Sequence, residues 1–160
     1  SVSHTEEVPS FLPDRFEPGT PNIPGILGLH AALCDLEQTD MGKLHQHELE
    51  LTQYFINGLM QMDPSESTLR AIGKHNTIER TSVVSVQTLQ TDMARVAYEM
   101  DDTYGIMTRV GLHCAPSAHK TLGTYPEGTI RFSFGPENTH HEVDLALHAL
   151  AEITGSPYHL

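Results

Sequence analysis

The sequence predicts a small α+β domain in which one sheet is covered by helices. Three observations carry that prediction. Apolar residues recur at helical spacing in two stretches after residue 23, and the runs at Thr81–Val86 and Thr129–Phe134 are rich in β-branched or alternating apolar residues. The last segment opens with Thr139-His140-His141-Glu142, the signature of a capping box ahead of an apolar stripe. The order arm, helix, helix, strand, helix, strand, loop, strand, helix lets the helices bury their apolar faces on the sheet.

The first two dozen residues hold Pro9, Pro13, Pro18, Pro21 and Pro24 with Gly19 and Gly25, which rules out regular structure and reads as an extended arm over residues 1–24. Residues 25–160 then form the domain proper. From about Ile23, the positions Ile26, Leu27, His30, Ala31, Leu33 and Cys34 predict a helix, with Cys34 on its apolar stripe and packed in the core. Thr39-Asp40 starts a second helix whose stripe is Leu44, Leu51, Phe55, Leu59 and Met62, stopped at Asp63-Pro64. After the strand at Thr81–Val86, Thr91 caps a third helix that turns Val96, Ala97 and Met100 inward and ends at Gly105. Ile106–Val110 is the next strand, followed by a loop through Gly123. In the strand Thr129–Phe134, alternation sends Ile130, Phe132 and Phe134 to one face and Thr129, Arg131 and Ser133 to the other. The closing helix carries Val143, Leu147, Leu150 and Ile153 inward and stops at Thr154-Gly155-Ser156-Pro157.

At 160 residues, the chain has one domain's worth of sequence, or part of a larger domain's, rather than two full domains. Its formal net charge of -12 sets up a field that repels phosphate backbones and anionic lipid, which argues against nucleic acid and membrane surfaces as partners. No apolar stretch approaches the roughly 20 residues of a membrane span. Two cysteines make neither a disulfide framework nor a paired zinc module, so a reducing, cytoplasmic setting is expected.

Eleven histidines raise the question of a metal. His45 and His47 sit two apart in a helix and point to different faces, and His141-Glu142 lacks the second histidine of a zinc signature because Leu145 stands there. His141 and His148 would need a third ligand, so no metal is expected. Cys114 lies in Arg109-Val110-Gly111-Leu112-His113-Cys114-Ala115-Pro116, where His113, His119 and Lys120 could favour its thiolate. The alternative is a small buried hydrophobe, the usual fate of a free cysteine. Arg131, on the face away from the core, could hold a carboxylate bidentately or make a surface ion pair. Lys43, Lys74 and Lys120 lack the preceding strand and the Ser/Gly setting expected of a lysine that binds pyridoxal phosphate.

Phe11-Leu12-Pro13-Asp14-Arg15-Phe16-Glu17-Pro18-Gly19-Thr20-Pro21-Asn22-Ile23-Pro24-Gly25, the Arg109–Pro116 segment and Gly128-Thr129-Ile130-Arg131-Phe132-Ser133-Phe134 together resemble the C-terminal part of the class V aminotransferase family, in its cysteine desulfurase and selenocysteine lyase branch. The resemblance runs over essentially the whole chain in the family's order. It implies the small C-terminal domain of a fold-type I, pyridoxal-phosphate-dependent homodimer that takes sulfur from L-cysteine, leaves alanine and passes the sulfur to an acceptor protein. By the same resemblance Cys114 is the persulfide-forming cysteine, Arg131 grips the substrate α-carboxylate, and Gly19 and Thr20 reach the cofactor phosphate. The family's cofactor lysine lies upstream of the motif that opens this chain, and His119-Lys120 falls on the wrong side of the cysteine. The resemblance therefore implies a C-terminal fragment, inactive alone. Two other readings stay open: a class V aminotransferase or selenocysteine lyase acting on another amino acid, and a non-catalytic acidic binding module.

Overall fold

The computed structural model describes residues 7–17 and 19–158; residues 1–6 and Pro18 of the expected arm lie outside the described residues. The chain divides into two compact units, Ser1–Met41 and Gly42–Leu160.

The first unit holds the arm and helix α1 (Ile23–Gln38). Asn22 caps the helix by accepting from the Gly25 N–H at 3.1 Å, and Pro24 in the first turn fits because its missing N–H had no intrahelical partner to lose. The helix forms where its apolar spacing predicts, but it buries none of its residues. Cys34 is therefore half-buried rather than in the core, with Sγ 3.8 Å from His30 Nδ1 one turn back. Periodicity identified the stripe, but it does not place a partner over it.

Helix α2 (Met41–Met62) leads into the second unit and buries Leu51, Phe55, Leu59 and Met62, the predicted stripe, with Ile56 beside it. Leu44 is only half-buried. Four strands, β1 (Leu69–Ile72), β2 (Val83–Thr88), β3 (Arg109–Gly111) and β4 (Thr129–Ser133), form one sheet in the order β1-β2-β4-β3, and each adjacent pair is antiparallel. Val84 and Val86 of β2 and Ile130 and Phe132 of β4 face the core, where Phe55 of α2 lies with its ring centroid 4.8 Å from that of Phe132 and 5.3 Å from that of Phe134. Helices α3 (Met93–Tyr104) and α5 (His140–Thr154) complete the layer with Val96, Met100, Val143, Leu147 and Leu150. Full burial of each such side chain contributes about 1.5–3 kcal/mol.

Three local expectations change. Strand β1 was missed because Leu69–Ile72 has no strong strand pattern; it is placed from outside by the Asp63 carboxylate, which accepts from the Thr68 and Leu69 N–H groups at 2.6 and 3.0 Å. The cap of α3 is Asp92, accepting from Arg95 N–H at 2.8 Å, while the Thr91 carbonyl accepts the Thr88 hydroxyl at 2.6 Å. The expected loop after Cys114 contains helix α4 (Pro116–Leu122), with proline in its first turn and Gly123 at φ 70° ending it. The capping box of α5 forms as predicted, with Thr139 Oγ1 accepting from Glu142 N–H at 3.3 Å and the Glu142 carboxylate accepting from Thr139 N–H at 2.8 Å.

Candidate active site

The face of the sheet away from α2, α3 and α5 carries the polar residues of β4 by alternation, alongside Ile72 and Val83. In register across β2, β4 and β3 stand Ser85, Arg131 and Arg109, with Arg131 paired to both neighbours. No strand carries an aspartate or glutamate. A chain with a strongly negative total charge thus has two guanidinium groups side by side on a strand face, with no acidic partner shown for either among the described residues. Like charges directly opposite across a ladder are unfavourable. Arg131 is half-buried, and its Nε is enclosed without a hydrogen-bond partner among the described residues. Such guanidinium groups can take an anion, and a planar carboxylate is the anion a guanidinium holds best.

Cys114 follows β3 and is exposed. The turn that presents it is unusual, because His113 at φ 50° and Cys114 at φ 59° are consecutive non-glycine residues in the left-handed region. Such conformations cost of order 1–3 kcal/mol each and persist only where the surroundings enforce them. The enforcing contacts are visible. Gly128, at φ 83°, brings its backbone so close to the Gly111 backbone that a side chain at 128 would collide with it. Gln87, which is buried, donates from Nε2 to the Gly128 carbonyl at 3.2 Å and accepts from Arg70. Next to that crossing, Thr129 Oγ1 lies 3.2 Å from His113 Nε2. Thr129 shares the outer face with Arg131 as predicted, yet it is 1% exposed, because the cysteine turn covers it.

Behind the turn, His119 of α4 is buried, with Nδ1 2.7 Å from Thr124 Oγ1, and its ring centroid lies 5.8 Å from that of His113. The expectation that His113 lends positive charge to the thiol changes here. Burial pushes its pKa down and the Arg131 charge pushes the same way, against an opposing hydrogen bond with the Thr129 backbone, so the surroundings favour the neutral imidazole. Lys120 places its ammonium 5.1 Å from the Tyr125 ring centroid. Lys74 is bonded to Glu79 at 2.7 Å.

Gly19 and Thr20 belong to the first unit and are described there by themselves. Both are exposed. They line a depression of about 360 Å³ with Glu17, Pro21, Asn22 and Ile26, and no heavy atom comes within 4 Å of where a Cβ on Gly19 would stand. A free hydroxyl beside an open glycine suits a phosphate oxygen, whereas the Glu17 carboxylate on the rim opposes one. The chain therefore offers a partial fit to the phosphate of pyridoxal phosphate.

Sequence reasoning named Cys114, Arg131 and His113 as candidates but missed the residues that shape the turn around them: Gln87, Gly128 and Thr129. The available signal was the pair of glycines at 111 and 128 flanking the segment. Among the described residues, no three His, Cys, Asp or Glu side chains gather as metal ligands, and no helix is long and apolar enough to cross a membrane.

Comparison with known proteins shows what the chain is similar to. The aminotransferase class-V family model matches residues 1–146. A probable cysteine desulfurase of Staphylococcus epidermidis is 33% identical over 151 residues, covering 94% of this chain and 35% of that protein. One from Pyrococcus abyssi is 34% identical over 144 residues, covering 90% and 34% respectively. Among solved structures, a cysteine desulfurase from Thermococcus onnurineus superposes with a TM-score of 0.77 at 34% identity, covering 89% of this chain and 34% of that one. Another from Escherichia coli gives 0.67 at 26% identity, covering the same shares. The chain spans about a third of the length of these relatives.

Proposed function

This chain belongs to the aminotransferase class-V family, and on that premise we propose that it is the C-terminal third of a pyridoxal-phosphate-dependent cysteine desulfurase, in which Cys114 receives the sulfur of L-cysteine. The observation that carries the reading is an exposed thiol held on a strained turn that follows β3, next to a strand face whose arginines have no acidic partner among the described residues. The length supports it too, since relatives named probable cysteine desulfurase are about three times longer.

Arg131 binds the substrate α-carboxylate through its guanidinium and so fixes the amino acid relative to Cys114. Pyridoxal phosphate, when bound, supplies the electron sink that lets the substrate's carbon–sulfur bond break. The Cys114 thiolate attacks the substrate sulfur, forming a sulfur–sulfur bond while the bond from that sulfur to the β-carbon breaks and the carbon keeps the electron pair. Protonation at that carbon gives alanine, and Cys114 is left as a persulfide for transfer to an acceptor protein. Thr20 and Gly19 contribute a hydroxyl and an unobstructed backbone to the cofactor phosphate. None of the lysines here is placed to bind the cofactor covalently, so the isolated 160-residue chain should stay inactive. The full enzyme is a homodimer in this reading, working in the cytoplasm.

The test is alanine formation from L-cysteine by the full-length enzyme carrying this chain, with mass spectrometry of Cys114. A persulfide adduct on Cys114, and loss of sulfur transfer in Cys114→Ser, are expected. Undiminished sulfur transfer by Cys114→Ser would defeat the reading and favour a lyase or aminotransferase acting on another amino acid.

A further inference from the structure

We propose that His113 is a positioning residue for Cys114, acting as a neutral imidazole that seats the thiol-bearing turn on β4 and α4 and releases it on protonation. The functional consequence rests on the reading of Cys114 as the sulfur acceptor; the seating itself does not.

Two consecutive left-handed residues need something to hold them, and among the described residues the turn's side-chain anchor is His113 Nε2 on Thr129 Oγ1 at 3.2 Å. Both ends of that anchor back onto buried residues. Thr129 is 1% exposed within β4, and the ring backs onto His119, which is 6% exposed and tied to Thr124, the residue whose N–H closes the end of α4 on the His119 carbonyl at 2.9 Å. Cys114 comes one residue after His113, so its outward pose is set by the seat of the ring.

The second nitrogen makes the seat sensitive to charge. His113 Nδ1 is enclosed and has no hydrogen-bond partner among the described residues. The tautomer that leaves no buried N–H stranded puts the proton on Nε2, donating to Thr129, with Nδ1 bare. Protonation would place an N–H at Nδ1 with no acceptor. The charged or titratable groups that bear on the ring are Arg131 from β4, Arg109 from β3 and His119 from α4, with no carboxylate among them. Burial and the neighbouring positive charges lower the ring's affinity for a proton and outweigh the hydrogen bond with the Thr129 backbone, which raises it. The sign follows directly: with the folded-state pKa below the ordinary value of about 6.5, the seat is complete above that value and is lost as pH falls through the lowered one.

The experiment is a nitrogen-15 NMR titration of the chain between about pH 8 and pH 5, which needs neither cofactor nor substrate. The expected result is a His113 ring midpoint below about 6.5, with the Cys114 and Thr129 amide signals moving at the same midpoint. In His113→Gln that shared movement should vanish. If His113→Gln does not fold, Thr129→Val, which removes only the hydroxyl, gives the second reading: at pH 8 its Cys114 amide should already sit toward the low-pH position of the parent. A His113 midpoint at or above about 6.5 overturns the proposal, as do Cys114 and Thr129 amides that stay fixed while His113 titrates. Because nothing here measures sulfur transfer, failure of the cysteine desulfurase reading and failure of the seat are separately visible.

Discussion

Helices α1 and α2 follow one another in sequence and both carry apolar stripes, yet α1 buries nothing while α2 buries Leu51, Phe55, Ile56, Leu59 and Met62. Leu27 and Leu29 of α1 are 61% and 62% exposed; Phe55 is fully buried. The difference is in what covers each stripe. In α2, the β4 aromatics and α5 supply the other half of a core, so its spacing is paid back in buried area. In α1 the same spacing advertises a surface without supplying its partner. Substitutions that affect one helix strongly should barely register in the other.

The largest contrast is in side-chain truncation. Phe55→Ala empties the space between the Phe132 and Phe134 rings and should cost about 3–5 kcal/mol. Leu27→Ala should change stability by less than about 0.5 kcal/mol, the range of an exposed site. Urea midpoints of the two variants measure this; a loss of several kcal/mol in Leu27→Ala would show that the α1 stripe is covered after all.

Glycines give a second contrast of opposite sign. A Cβ on Gly58 of α2 would run into the buried Leu147 side chain, whereas one on Gly28 of α1 would meet nothing within 4 Å. Gly58→Ala should therefore destabilise by about 1–3 kcal/mol through overpacking. Gly28→Ala should raise helicity by up to about 1 kcal/mol, since alanine is the better helix former. Circular dichroism and thermal midpoints separate the two, and a stabilised Gly58→Ala would mean that Leu147 repacks at little cost.

The same contrast explains what could be read from the sequence. Elements whose signals are local were legible: the α5 capping box, the Gly105 stop of α3, the alternation in β4. Features whose cause lies elsewhere in the chain were not. Strand β1 exists because a carboxylate at position 63 takes two of its N–H groups, and no pattern within Leu69–Ile72 announces that. Cys114 and Arg131 were named as candidates from motif chemistry and resemblance, while the expectation of positive charge at His113 runs against its surroundings. The sequence shows histidine beside cysteine, and only the fold shows that Nδ1 is enclosed and that the neighbouring charges are arginines.

That carboxylate gives a pH prediction confined to the packed unit. Burial pushes the Asp63 pKa up, but hydrogen bonds from the Leu69, Thr68 and Ser65 backbones and the Ser65 hydroxyl outweigh it and hold it at about 2, below the ordinary 3.8. The unfolded chain therefore binds the proton first as pH falls. The stabilisation is complete above about pH 4 and drains away as pH drops toward 2; allowing for solvent screening it amounts to about 1–2 kcal/mol. Asp63→Asn should flatten the acid limb of a stability-against-pH curve and leave its neutral region lower. An unchanged acid limb would mean that Asp63 is not what ties β1 to the end of α2.

The smallest effects come from the helix caps, and there the contrast lies in where the loss is felt. Thr139 caps α5, whose Val143, Leu147 and Leu150 are buried in the core, so the start of that helix cannot fray without moving packed side chains. Thr139→Ala should cost about 1 kcal/mol of cooperative stability, seen as a lowered urea midpoint. Asn22 caps α1 through a comparable bond to Gly25 N–H, but no residue of α1 is buried. Asn22→Ala should accordingly speed amide exchange in the first turn of α1 by local opening and leave the midpoint of the packed unit where it was. Equal midpoint losses in the two variants would show that α1 folds cooperatively with the sheet domain, and the contrast between the two helices would then be one of exposure without independence.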